Sequence, residues 1–168
     1  MKANKNIFVA VDDSEASDRA VAYVAQMVDG GRGFHILLFH VPASMPPQLL
    51  EFGGAEVPAQ EERAEGELNN AQAAWMQEMA RAAQPIFARA KTRLREAHVA
   101  EQDVETLLFT PSAEQSLETS ILTEARAHEC STVVVGREAF SWLKELFQGH
   151  VADKLIPQAG DLALWIVQ

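Results

Sequence analysis

The sequence predicts an α/β protein, a three-layer α/β/α sandwich around a five-stranded, mainly parallel sheet. Three observations predict it. Short continuous apolar runs, rich in β-branched residues, recur along the chain, as strands buried on both faces require. Stretches with apolar steps of three and four separate those runs, which is helical spacing. The alternation strand, helix, strand then demands right-handed parallel crossovers.

The first strand is NIFVAV at residues 6–11. Asp12, Asp13 and Ser14 follow with turn and N-cap chemistry. Ala20, Val21, Val24, Ala25 and Val28 then mark the buried face of a helix ended by Gly30 and Gly31. FHILLFHV at 34–41 is the second strand, closed by Pro42. Residues 42–58 hold four prolines and two glycines beside Leu49, Leu50 and Phe52. Such a stretch reads as a long loop, either a ligand-ordered lid or a disordered segment.

Glu61, Glu62 and Glu65 lead into a long helix whose apolar face is Leu68, Ala71, Trp75, Met79, Ala82, Ile86, Ala90 and Leu94. Pro85 interrupts it and predicts a bend near Arg81. DVETLLF at 103–109 is more polar than the other strands and belongs nearer a sheet edge. Ser112 and Gln115 read as a capping box for a helix buried through Leu117, Ile121, Leu122 and Ala125. TVVVG at 132–136, a short helix over 150–156 stopped by Pro157, and LALWIV at 162–167 complete the chain.

Bulk properties narrow the function classes. A chain of 168 residues suits one domain over 1–168. Its net charge of −10 argues against a nucleic-acid backbone or an anionic membrane as partner. Cys130 is the only cysteine, so no internal disulfide can form, which fits a reducing cytoplasm. The opening MKANKNIFVAVDD lacks a signal-length apolar run, and no stretch is long enough to span a bilayer. A cytoplasmic protein is expected.

The stretch that promises chemistry is 132–150, TVVVGREAFSWLKELFQGH. A buried strand running into a glycine turn and a helix is where α/β folds bind phosphate, because backbone N–H groups converge there. The turns after the first and fourth strands are expected side by side, at a topological switch point.

Read together, IFVAVDDSEASDRAVAYVA near the start and STVVVGREAFSWLKELFQGHVADKLIPQAGDLALWIV near the end resemble the universal stress protein family. The fold this resemblance implies is the same sandwich with strand order 3-2-1-4-5. Nucleotide-binding members carry glycine, two residues, glycine, nine residues, glycine, then Ser or Thr. Laid on this chain, the motif begins at Gly136, passes Arg137, meets Ala139 where the second glycine stands, and closes on Gly149 and His150. Val151 follows, and Ala152 takes the place of a second family hydroxyl. The spacing is kept while two motif residues are exchanged. The resemblance further implies that Asp12 faces the adenosine end, with Asp13 beside it among the nucleotide-binding candidates, and that the backbone of Val41 reads adenine. It implies a homodimer through the last strand, carried by Leu162, Leu164, Trp165 and Ile166, an edge otherwise open to pairing.

Other chemistry is not indicated. The five histidines form no helical pair suited to a metal, and no G-x-S-x-G elbow exists. Cys130, before a buried strand, reads as an inert core thiol. A methyl at Ala139 and an imidazole at His150 both disfavour a phosphate, although Arg137 or protonated His150 could replace lost donors. The expectation is therefore a non-enzymatic stress-response dimer with a degraded nucleotide cradle. It needs no cofactor or metal and acts through protein contacts or ligand sensing. The alternative is an adenine-nucleotide-binding regulator, ATP included, with at most slow hydrolysis. An enzyme of the wider adenine-nucleotide α-hydrolase-like group would need an acid–base pair that the sequence does not show.

Overall fold

The structure is a computed structural model, described over residues 4–29, 31–42, 58–110, 116–140 and 151–168, with side chains from 65 in the long helix. Five strands alternate with helices: β1 (Asn6–Ala10), α1 (Glu15–Val28), β2 (His35–His40), α2 (Pro58–Glu96), β3 (Val104–Leu108), α3 (Leu117–Ala127), β4 (Thr132–Gly136), α4 (Val151–Leu155) and β5 (Ala163–Val167). They form one sheet in the order β3-β2-β1-β4-β5, and all four pairings are parallel. The polar strand at 103–109 does lie at an edge. Because β1 leads outward to β2 while β4 leads outward to β5, the switch point falls between β1 and β4.

Side chains alternate across the sheet, so each strand feeds two cores. Ile7, Val9, Ile36, Leu38 and Val134 pack under α1 and α2, whereas Phe8, Ala10, Leu37, Phe39, Val133 and Val135 pack under α3 and α4. Burial of each such side chain contributes roughly 1.5–3 kcal/mol. That periodicity is what made the strands readable as unbroken apolar runs.

Pro85 lies inside α2, which runs from Pro58 to Glu96 as one long helix. Three sequence expectations are corrected here. The buried side of α2 runs through Ala83, Ile86, Ala90, Leu94 and Ala97, and Ala82 is exposed. Leu68, Ala71, Trp75 and Met79 are half-buried, since the helix is longer than the sheet is deep. The N-cap of α3 is Ser116, whose hydroxyl accepts from the Thr119 N–H. The capping box at 112–115, the loop at 43–57 and the helical stretch at 142–147 lie outside the described residues. Among those described, no helix is long and apolar enough to cross a membrane.

Candidate functional site

The site is built where β1 and β4 end side by side. Val9 and Ala10 are in register with Val134 and Val135, so the residues after both strands emerge together. Beyond β1 the chain turns into α1 through a set of interlocking hydroxyl contacts. Ser14 caps the helix by accepting from the Ser17 N–H at 3.1 Å, and the Asp12 N–H donates to Ser17 Oγ at 3.0 Å. Capping of this kind is worth about 1 kcal/mol.

Asp12 is 2% exposed, and both of its carboxylate oxygens are engaged. Oδ1 accepts from the Ser14 N–H at 3.2 Å and from the Ser14 hydroxyl. Oδ2 accepts from the backbone N–H of Phe140, a residue 128 positions away. The carboxylate thus joins the two strand-end turns. Its position is satisfied from within the protein.

The turn after β4 is equally constrained. Gly136 is tight against the first turn of α1: a Cβ there would lie 2.3 Å from the Ala16 carbonyl oxygen. The Arg137 N–H donates to Val167 O at 2.7 Å and ties the turn to β5, while the Ala139 N–H donates to Gly136 O at 3.0 Å. Arg137 itself is exposed. Ala139 is 4% exposed, and its methyl belongs to the core beneath α3 and α4. Phe140, not Ala139, takes the left-handed conformation, with φ of 59° and a fully buried ring. That geometry costs a non-glycine residue of order 1–3 kcal/mol and persists where neighbours over-determine it. Here the ring's burial and the bond to Asp12 do so.

The remaining sequence-derived candidates are distributed as follows. Val41 and Val151 are buried in the same core as Phe140. Asp13 points instead toward α2, where Arg89 bridges its carboxylate and that of Asp18, both at 2.9 Å. These pairs are largely exposed and worth at most about 1 kcal/mol each. Gly149 and His150 lie outside the described residues. At the open edge Leu164, Trp165 and Ile166 are half-buried, and Trp165 packs edge-on against Tyr23 of α1 with centroids 5.6 Å apart. Leu162 is buried in this chain's own core before the strand begins. Among the described residues, no group of three or more His, Cys, Asp or Glu could hold a metal ion. Cys130 is buried, and burial with the nearby Glu105 pushes its thiol up to about 11.

Sequence reasoning missed Phe140, because a backbone N–H has no side-chain signature. It also missed His40, which is 7% exposed at the end of β2. Its Nδ1–H donates to Val11 O at 2.8 Å, and its ring stands edge-on to Phe87 of α2. Burial lowers the His40 pKa from 6.5, opposed by the bond to Val11 and by the charges of Asp12 and Asp13. The neutral ring is therefore favoured in the folded chain. Stability from this group is complete above 6.5 and declines as pH falls below it. Urea unfolding at about pH 7.5 and about pH 5.5 should show lower stability at the acid condition. In His40→Gln that loss should be smaller. An equal loss in both proteins would remove His40 as its source.

The sequence profile described as the universal stress protein family matches residues 3–160. The chain belongs to the universal stress protein family. No protein of curated function matches it. Solved structures share the fold at low identity. One is a universal stress protein family member from Burkholderia pseudomallei, 16% identical, covering 97% of this chain and 95% of its own, with a TM-score of 0.59. Another is the Archaeoglobus fulgidus universal stress protein in complex with dAMP, 15% identical over all of both chains, with a TM-score of 0.55. A third, from Arabidopsis thaliana with AMP bound, is 15% identical, covers 97% of this chain and 90% of its own, and scores 0.54. In this universal stress protein the strand order expected from the resemblance is the order observed.

Proposed function

We propose that this universal stress protein is a non-enzymatic, cytoplasmic stress-response dimer whose nucleotide cradle is degraded, and that it acts through protein contacts or ligand sensing. The observation that carries this reading is the Phe140 N–H. An anion cradle works by aiming backbone donors of the strand-to-helix turn at a ligand. Here that donor is spent on the buried Asp12 carboxylate, and Ala139 fills the motif's second glycine position with a core methyl. A phosphate would have to displace a charge-assisted bond, worth about 1.5–3 kcal/mol, before gaining its own.

Calorimetric titration with AMP and with ATP tests this. Weak binding or none is expected, since each 1.4 kcal/mol of displaced interaction costs about tenfold in affinity. Submicromolar binding of either nucleotide would sink the reading. It would establish the second one, an adenine-nucleotide-binding regulator. That alternative draws support from the retained Gly136 and switch-point geometry, and from relatives solved with dAMP and AMP.

The dimer part rests on β5, an edge strand with half-buried Leu164, Trp165 and Ile166 and, among the described residues, no strand on its outer side. Unprotected edges of this kind pair with another chain. Light scattering at micromolar concentration should give twice the chain mass. Leu164→Lys should shift it toward monomer, and because Leu164 also packs on this chain's own core, circular dichroism must show that the variant is folded for the shift to count. A monomeric wild type would remove the proposed interface.

A further inference from the structure

The last eight residues of α2, 89–96, carry four cations, Arg89, Lys91, Arg93 and Arg95, in a chain of net charge −10. Two are neutralised: Arg89 by Asp13 and Asp18, and Arg93 by Glu96 at 3.9 Å. Lys91 and Arg95 have no hydrogen bond or ion pair among the described residues. They stand one helical turn apart on the same face, where like charges repel.

Between them and the start of β3 lies a cleft of about 230 Å³. Its apolar wall includes Val99, half-buried, and Val104, 8% exposed. Glu101 lines it as well. The cleft belongs to the outer edge of the sheet, with β2 and β1 between β3 and the β1–β4 switch point. It is smaller than the usual 300–1,000 Å³ of a drug-sized ligand site.

We propose that the cleft between α2 and β3 binds a small apolar monocarboxylate. Lys91 and Arg95 hold the carboxylate, and Val99 and Val104 pack its hydrocarbon part. Two unpaired cations one turn apart suit a bridging anion, and charge-assisted bonds to a carboxylate are the strong kind. The apolar wall requires a ligand with a hydrocarbon body, so bare inorganic phosphate fits poorly. The Glu101 carboxylate disfavours ligands carrying several negative charges, which separates this site from one for nucleotides.

The test is a titration of the isotope-labelled full chain with hexanoate, followed by amide chemical shifts. Neutral hexanamide and inorganic phosphate serve as controls. Saturable shifts at Thr92, Val99 and Val104 are expected with hexanoate and not with either control. Lys91→Glu with Arg95→Glu should weaken binding by about tenfold or more, and Lys91→Ala alone should weaken it measurably. Lys91→Arg should retain it. Arg95 is exposed and Lys91 half-buried, so retained native amide dispersion is expected to show that the variants fold. Equal shifts with hexanamide, equal binding of phosphate, absence of saturation, or indifference to the double charge reversal would each overturn the proposal.

Discussion

Gly136→Ala is expected to lower stability by about 3 kcal/mol or more, at or beyond the top of the usual range for overpacking. The added methyl would meet the backbone of Ala16, 2.3 Å from its carbonyl oxygen and 2.5 Å from its carbonyl carbon. Neither atom can rotate away. The first turn of α1 must retreat from β4 by roughly 1 Å to restore contact distance. That retreat would also loosen the Ser14–Ser17 contacts that hold Asp12. A protein of this size should lose roughly 2–4 °C in melting temperature per kcal/mol. Because the clash is with backbone, Gly136→Ala combined with Ala16→Gly should melt no higher than Gly136→Ala alone. Calorimetric melting of the three proteins checks this. Rescue by Ala16→Gly would show that side-chain crowding is the cause.

Asp12→Ala is expected to cost more, about 3–5 kcal/mol, the range for breaking a buried charged network. The substitution removes the acceptor of the Phe140 N–H, which is itself buried and left unpaired. It also releases the positive φ at Phe140 from one of its two constraints. Asp12→Asn keeps the shape and an acceptor oxygen, so it should recover much of the loss. Equilibrium urea unfolding of wild type, Asp12→Asn and Asp12→Ala gives the ranking. Equal stability of wild type and Asp12→Ala would mean that the contact between the two turns contributes little. In parallel, hydrogen exchange at the Phe140 amide should accelerate in Asp12→Ala beyond exchange in the middle of β1.

Much of the candidate site was legible without coordinates. Asp12, Gly136 and Ala139 do gather at the ends of β1 and β4, because strand order and the strand ends together dictate which turns are neighbours, and Val151 shares the core into which Ala139 packs. Asp13 was a candidate for the same site, but its side chain pairs with Arg89 on α2. Adjacent residues leaving a strand point to opposite sides, and only the packed helix shows which side faces α2 and which the turn after β4. His40 was passed over because a histidine closing an apolar strand looks like any other core position until Val11 O and Phe87 are seen around it.

By itself the sequence determined the element types, their order and the parallel sheet. Apolar runs, the period of 3.6 and turn residues are local signals, and right-handed crossovers leave few ways to combine them. The tertiary structure decided everything that depends on pairs distant in the chain. It put Ser116 rather than Ser112 at the head of α3, turned Ala83 rather than Ala82 inward, and set Gly136 against Ala16. It also placed the left-handed backbone at Phe140 and aimed that residue's N–H at Asp12. The physical reason is reach. A helix cap or an inward face is chosen among near-equal local options, separated by about 1 kcal/mol or less. Which option wins is set by contacts that exist only once β1 and β4 lie side by side.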